Sequence, residues 1–384
     1  MISTNSSRSC ARKPRPRVDR AVSDTRYMAL ALSLGRRGLG LVWPNPAVGC
    51  VIVRDGRIVG RGWTAPSGRP HAETRALAQA GSAARGADVF VSLEPCAHHG
   101  QTPPCAQALI DAGVARVVVA AGDSDVRVAG RGFAMLRDAG IVVQTGLLEA
   151  EALRDHQGFL SRVEQGRPMI TLKLASSFDG RIATATGESR WITQAPARRV
   201  VHAMRARHDA VMVGGGTVRA DDPALDVRDM GVVRQPARIV ISRRLDIPLT
   251  GRLAQTAADI PLVLCHGADA PAGLVDAWAG LGAHLLPCVQ KRGQLDMADV
   301  LQKLGAYGFT RVFSEGGSAI AASLLQADLV DHLMGFTAGV VIGAEGVPGI
   351  GAMGLAQLAH APRFDLTQVQ AVGPDVMHAW VRVR

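Results

Sequence analysis

The sequence predicts an α/β protein built as two domains, and three observations carry that reading. Short apolar or β-branched runs alternate with helix-period segments along most of the chain. At 384 residues there is enough chain for two cores of ordinary size. The two kinds of chemistry on offer are also segregated: one imidazole and two thiols at metal-like spacing fall between His71 and Cys105, and Gly-rich turns follow strands beyond Val213.

Composition narrows the function classes. Apolar residues make up 47%, which supports sizeable cores, yet no apolar run approaches the length of a membrane span. Six scattered cysteines fit a reducing compartment better than a disulfide framework, and the N-terminus lacks the apolar segment of a secretory signal. A cytoplasmic protein without membrane contact is expected. The net charge of +10 looks like a nucleic-acid cue until it is located. Arg8, Arg12, Lys13, Arg15, Arg17 and Arg20 stand against Asp19 alone, so half the excess lies in a Ser- and Pro-rich tail, residues 1–22, expected to be disordered. Aromatic residues are scarce and not interleaved with basic ones, so no base-stacking surface and no nucleic-acid partner are expected.

In the first domain, residues 23–146, Ala47 to Val53 is an apolar strand, Asp55-Gly56 a hairpin turn, and Ile58 to Trp63 the returning strand. Pro70 suits the first position of a helix, which puts His71 and Glu73 in its first turn and Ala72, Ala76, Leu77 and Ala80 on its buried stripe. Val89 to Leu93 is a strand that delivers Cys96 at its exit. Thr102 is placed to cap the next helix, with Pro103 at its first position and Cys105 in its first turn. The domain closes with a strand and turn at Ile141 to Gly146.

Three segments carry chemistry: Pro70-His71-Ala72-Glu73, Glu94-Pro95-Cys96 and Thr102-Pro103-Pro104-Cys105. His71, Cys96 and Cys105 make three N/S metal ligands, one short of a closed structural zinc site. In a catalytic site the remaining position holds water. Glu73, two residues from the imidazole, is the carboxylate that would carry protons to and from that water. His-x-Glu followed by Pro-Cys-x-x-Cys is the general pattern of zinc nucleobase deaminases. Here eight residues, not two, separate the cysteines. A structural zinc would need Glu73 or His98 as its fourth ligand. His98 and His99 read as loop or pocket residues, Cys50 reads as packing, and Cys10, Cys265 and Cys288 lack metal-like spacing.

The run Ala97-His98-His99-Gly100-Gln101-Thr102-Pro103-Pro104, with Pro44-Asn45-Pro46-Ala47-Val48-Gly49-Cys50 and Val128-Ala129-Gly130-Arg131-Gly132, resembles the bifunctional deaminase/reductase family of riboflavin biosynthesis. The resemblance extends from about Tyr27 to the C-terminus. It implies an N-terminal cytidine-deaminase-like three-layer α/β/α domain and a C-terminal dihydrofolate-reductase-like α/β domain. It also implies Zn2+ and NADPH as cofactors and phosphoribosylated pyrimidines as substrates; a homo-oligomer is expected.

After a connector, residues 147–167, the second domain spans 168–384. Strands are expected at Met169 to Leu174, Asp209 to Val213, Arg238 to Ser242, Pro261 to Cys265 and Thr310 to Ser314, with Thr193 capping a helix that runs to about Arg207. Gly214-Gly215-Gly216-Thr217 and Glu315-Gly316-Gly317-Ser318 could bring backbone N–H groups to a pyrophosphate, but neither is a G-x-G-x-x-G fingerprint and each could be an ordinary turn. Carried over by position, the resemblance places NADP contacts on Ala175, Trp191, Thr217, Asp221, Ser242 and Gly317, Ser318, Ala319, Ile320, Ala321, Ala322 and Ser323. It places substrate contacts on Ser189, Arg205, Leu225, Arg228 and Glu315. Arg205 and Arg228 suit a phosphate. Arg243 or Arg244 is the candidate for the NADP 2′-phosphate, and Lys173 and Asp179 also fall at functional-looking positions where packing or capping would serve equally. Two rivals remain: a tRNA-editing deaminase with an accessory α/β domain, and a zinc-stabilised binding module without activity.

Overall fold

The structure, a computed structural model, describes residues 20–98, 103–125, 128–232 and 234–383. Its first part comprises α1 (Arg20–Gly35), β1 (Gly49–Arg54), β2 (Arg57–Trp63), α2 (Ala72–Ala80), β3 (Asp88–Leu93), α3 (Cys105–Asp111), β4 (Arg116–Ala121), α4 (Arg131–Asp138) and β5 (Val142–Thr145). The strands form one sheet in the order β2-β1-β3-β4-β5. β1 is antiparallel to both β2 and β3, whereas β3, β4 and β5 run parallel. Asp55 and Gly56 both take positive φ, +50° and +72°, as the two central residues of a type I′ hairpin turn must. Met28, Ala31 and Leu32 of α1 and Ala72 and Ala76 of α2 pack with Val51, Val89, Phe90 and Val91 of the sheet. Gly60 and Gly62 of β2 let α2 lie unusually close. A Cβ on Gly62 would sit 2.1 Å from Ala72 O, and one on Gly60 would sit 2.2 Å from Ala76 O. That contact fixes the helix whose first turn carries Glu73.

The connector α5 (Glu149–Gln165) is held from both sides. Arg36 reaches Asp155 at 2.8 Å and Glu151 at 2.5 Å, and Arg162 Nε donates to Gly305 O at 2.8 Å.

The second part comprises β6 (Met169–Ser177), β7 (Arg181–Ala183), α6 (Ala195–Arg205), β8 (Ala210–Gly214), α7 (Gly215–Asp221), β9 (Ala237–Ile241), α8 (Arg252–Gln255), β10 (Leu262–His266), α9 (Ala272–Gly280), β11 (His284–Pro287), β12 (Gln290–Lys291), β13 (Gln294–Leu295), α10 (Met297–Tyr307), β14 (Arg311–Ser314), α11 (Ser318–Gln326), β15 (His332–Ala338), β16 (Val347–Pro348), β17 (Phe364–Val372) and β18 (Asp375–Arg382). Nine of these strands form a sheet in the order β11-β10-β9-β8-β14-β6-β15-β18-β17. It is parallel from β11 to β15 and antiparallel beyond. β8 and β14 are neighbours, so the Gly-rich turns at their C-terminal ends lie side by side. Ligands of open α/β sheets bind at that end of the strands.

Several local expectations need correction. Pro70 is not the first helical residue: Ala72 is, with His71 as the extended N-cap, because Pro70 O is already taken by Ala65 N at 3.0 Å. α3 begins at Cys105 behind Pro104, so Pro103 lies outside the helix, and the Thr102 cap lies outside the described residues. Gln194, not Thr193, occupies the N-cap position of α6, without a side-chain capping bond, and its own N–H donates to Asp375 Oδ2 at 2.7 Å; the helix ends at Arg205. Gly215 to Thr217 open α7 directly and do not form a separate turn. The disorder expected of the tail, and the readings of Cys10 and His99, fall outside the described residues except that α1 already contains residues 20–22.

Candidate functional site

The end of the β2–α2 loop, the exit of β3 and the start of α3 converge on one point. His71, Cys96 and Cys105 offer one ligand atom each, and these atoms lie within 4.8 Å of one another; among the described residues no other such cluster occurs. His71 Nδ1 is 3.2 Å from Cys105 Sγ and 3.7 Å from Cys96 Sγ. A tetrahedral zinc with ordinary Zn–N and Zn–S bonds has ligand–ligand edges of roughly 3.5–3.8 Å, so the donor set fits this metal. Cys105 N–H donates to Cys96 Sγ at 3.3 Å. The hydrogen bond from the Cys105 thiol, with help from His71, lowers the Cys96 pKa to about 4, against the effect of burial. The Cys105 thiol is pushed up, chiefly by that same bond. The imidazole pKa is raised mainly by Cys96, although Nδ1 lies nearer Cys105.

Glu73 is 3% exposed and is not one of the converging atoms. Burial is the largest influence on it and raises its pKa to about 7, against the attraction of His71. Beneath it, burial likewise raises the Cys50 thiol pKa in β1, consistent with packing.

Glu94 is a residue whose role the sequence did not reveal. Its buried carboxylate accepts Gly132 N at 3.0 Å and Phe133 N at 3.3 Å on Oε1, and Gly130 N at 3.1 Å and Asp123 N at 3.4 Å on Oε2. Gly132 cannot bear a Cβ, which would lie 2.2 Å from Pro95 O. The Val128–Gly132 motif is thus clamped to the segment that delivers Cys96. Motif spacing alone cannot show such a bond.

In the second part the two Gly-rich strand-to-helix junctions meet. A Cβ on Gly214 would lie 3.1 Å from Ile320 Cγ1, and one on Gly317 would lie 3.6 Å from Thr217 Oγ1. The α11 N-terminus opens there, with Gly317 as N-cap. Ala321 and Ala322 turn into the core and Ser323 Oγ bonds back to Ala319 O, whereas Ala319, near the start of the Gly317–Ser323 run, is exposed. Ser242 Oγ donates to Asp246 at 3.0 Å beside Gly215. Trp191 is 64% exposed with Arg198 over its ring at 4.4 Å, and Arg190 donates to Asp221 O. Ala175 and Ser189 are half-buried, whereas the Leu225 side chain is in the core.

Arg205 and Glu315 face each other. Arg205 Nε donates to Glu315 Oε1 at 2.5 Å and Nη2 to Oε2 at 3.1 Å, while Nη1 takes Asp226 O at 2.7 Å. Lys173 Nζ lies 3.6 Å from the same carboxylate. Burial alone would raise the Glu315 pKa, but Arg205 and Lys173 outweigh it and hold it at about 2. Most donors of Arg205 are therefore committed inside the protein, and Arg228, half exposed beside Asp226, is the more available cation. Arg243 is paired with Asp269, whereas Arg244 is exposed. Asp179 accepts Gly343 N at 2.7 Å and Ser177 Oγ at 2.6 Å, a loop-closing role.

The fold and the two sites define a metal-type deaminase joined to a nucleotide-type reductase in one chain. Residues 21–121 match the cytidine and deoxycytidylate deaminase zinc-binding region, and residues 168–378 match the RibD C-terminal domain. The riboflavin biosynthesis protein RibD of Escherichia coli is 42% identical over 92% of this chain and 98% of its own. A solved Acinetobacter baumannii RibD superposes with TM-score 0.85 at 38% identity, covering 95% of this chain and all of that one. The Thermotoga maritima diaminohydroxyphosphoribosylaminopyrimidine deaminase/5-amino-6-(5-phosphoribosylamino)uracil reductase gives 0.82 at 31% identity, covering 94% and 99%. The chain belongs to the RibD family. It is an enzyme of riboflavin biosynthesis with a zinc-binding deaminase domain and an NADPH-dependent reductase domain.

Proposed function

We propose that the two domains catalyse successive steps on one pyrimidine. The first, residues 23–146, hydrolytically deaminates 2,5-diamino-6-(5-phosphoribosylamino)pyrimidin-4(3H)-one. The second, residues 168–384, reduces the ribosyl group of 5-amino-6-(5-phosphoribosylamino)uracil to ribityl, and residues 147–167 connect them. The observation that carries this reading is the convergence of His71 Nδ1 with two thiols beside a buried carboxylate outside the cluster.

His71, Cys96 and Cys105 would hold zinc, which when bound supplies Lewis acidity that lowers the pKa of water from 15.7 to about 7. Glu73 Oε takes the water's proton and returns protons to the ring nitrogen and to the departing ammonia. A carboxyl group in an apolar setting suits that exchange, because neither of its protonation states is strongly favoured near neutral pH. In the second domain the Gly214–Thr217 and Gly317–Ile320 segments would seat the pyrophosphate of NADPH, the hydride donor. Arg228 would meet the substrate phosphate, with Ser189, Leu225 and the Arg205–Glu315 pair shaping the remainder of that pocket.

The tRNA-editing alternative leaves residues 168–378 without a task, and the RibD C-terminal domain match falls on those residues. Among the described residues no helix is long and apolar enough to cross a membrane. A cytoplasmic location is consistent with the five described cysteines, all free thiols. Nucleic acid is not a partner on this reading. A homo-oligomer is supported by β17, an edge strand exposed along nearly its whole length with Leu366 and Val369 open to solvent; light scattering would reveal it.

The test of the reading is ammonia release and NADPH oxidation, measured separately. His71→Ala should abolish ammonia release while NADPH oxidation continues on supplied deaminated substrate. Loss of both activities in a folded variant would sink the two-site assignment.

A further inference from the structure

The loop that presents His71 is gripped from the other domain. Trp43, between α1 and β1, packs against the core of the nine-stranded sheet. Its ring lies 4.8 Å from Phe309 and 6.4 Å from Tyr307, centroid to centroid. Gly308, at φ +119° behind α10, makes room: a Cβ there would lie 3.4 Å from Pro44 Cβ and 3.6 Å from Trp43 Cε3. Arg234, ahead of β9, donates Nη1 to Leu41 O at 2.9 Å and to Ser67 Oγ at 3.2 Å, and its guanidinium lies 5.9 Å from the Trp43 ring.

Leu41 O also accepts Ser67 N at 2.9 Å. The Leu41 carbonyl, together with one guanidinium from the reductase side, thus joins the segment before β1 to the segment that follows β2. The second segment leads through Gly68, against which the Asn45 side chain is packed so closely that a Cβ would lie 1.9 Å from Asn45 Nδ2. Three residues later comes His71. Its register depends on this short, irregular stretch, which includes a kink with Ser67 at φ +65°.

We propose that Trp43 and Arg234 are positioning residues of the deaminase centre, so that its geometry is completed across the domain boundary. The proposal rests on the deaminase reading above. Its physical basis is tolerance: His71 Nδ1 stands 3.2 and 3.7 Å from two thiols, and a shift of about 1 Å in a reacting constellation costs up to about 100-fold in rate. A contact that merely glues two domains together would weaken both activities alike.

The experiment uses the full chain with Trp43→Ala, Trp43→Phe and Arg234→Met. Ammonia release and NADPH oxidation on supplied deaminated substrate are measured, and each protein is also loaded with Co2+ in place of zinc and its visible spectrum recorded. Trp43→Ala should lower kcat/KM for deamination about tenfold or more and shift the cobalt bands, with reduction held within about twofold. Trp43→Phe should restore most of the loss, and Arg234→Met should shift the bands in the same direction. Unchanged deamination with an unchanged cobalt spectrum overturns the proposal, as does a parallel fall in both activities. Absence of ammonia release from the wild-type chain would instead refute the deaminase reading, and the cobalt spectra would still decide whether the reductase side shapes the ligand set.

Discussion

Replacing Glu94 by Gln tests how the deaminase domain holds its loops. The side chain is 4% exposed and accepts four backbone N–H groups, two on each oxygen, at 3.0–3.4 Å. Glutamine is nearly isosteric, but its amide offers one acceptor oxygen and one NH2 donor. In either orientation the NH2 end faces two backbone donors, either Gly132 and Phe133 or Asp123 and Gly130. Two backbone N–H groups then lose their acceptor; because Gly132 is buried but Gly130 is exposed, the amide can turn its NH2 to the more open side, and the variant should lose about 1–3 kcal/mol. The loss should be local as well as global, because the freed groups lie at the start of α4 and beside the Pro95–Cys96 segment. Urea unfolding gives the global value, and competition with a chelator gives the zinc affinity, which should also fall. If Glu94→Gln unfolds within about 0.5 kcal/mol of wild type, which is the scatter of ordinary surface changes, the clamp has been misjudged.

Glu73→Gln should keep about one zinc per chain and lose ammonia release, because the amide cannot accept the water's proton; a variant that loses metal would show Glu73 to be a ligand. His208 is buried and its pKa is lowered to about 3, chiefly by burial, with Nδ1 on Met204 O and Nε2 on Thr171 Oγ1. The unfolded chain therefore binds this proton first as pH drops below about 6.5, and stability should fall by up to about 1.4 kcal/mol per pH unit toward pH 3. His156, lowered to about 4 mainly by burial, adds to the same slope. Urea unfolding between pH 7 and pH 5 should show the slope in wild type and a shallower one in His208→Gln. Arg244→Ala should raise the KM for NADPH and leave that for NADH unchanged; equal effects on both would exclude a 2′-phosphate contact.

The ligand set was legible because its residues lie at the ends of elements that announce themselves. A type I′ turn at Asp55-Gly56 fixes the register of β1 and β2, two glycines on β2 fix α2, and a β-branched run fixes β3. His71, Cys96 and Cys105 are each within a few residues of such an end. Helix starts were less legible. Proline is common at a first helical position, yet Pro70 and Pro103 both stand ahead of theirs, because the residues after them must keep extended backbone to aim a ligand. The start of α6 was out of reach of local reading, since the N–H of its N-cap residue Gln194 is held by Asp375, 181 positions away.

The same limit explains why the reductase residues were harder to read than the metal ligands. A metal site needs particular atoms, and few side chains supply them. A nucleotide cleft needs backbone N–H groups at helix starts and room for them, which many sequences supply. What distinguishes Gly214-Gly215-Gly216-Thr217 and Glu315-Gly316-Gly317-Ser318 from ordinary turns is that β8 and β14, a hundred residues apart in the chain, are adjacent in the sheet. Only that pairing sets Thr217 against Gly317 and brings Arg205 from α6 onto Glu315. The ion pair has a consequence for the arginine. An isolated arginine in a cleft suggests a phosphate contact, but a largely buried one with a bidentate carboxylate partner is mostly satisfied. Removing Arg205 would leave Glu315 with only the more distant Lys173, 3.6 Å away, so its loss would disturb that ion-pair cluster before it affected any phosphate. The exposed Arg228 makes the cleaner probe of substrate binding.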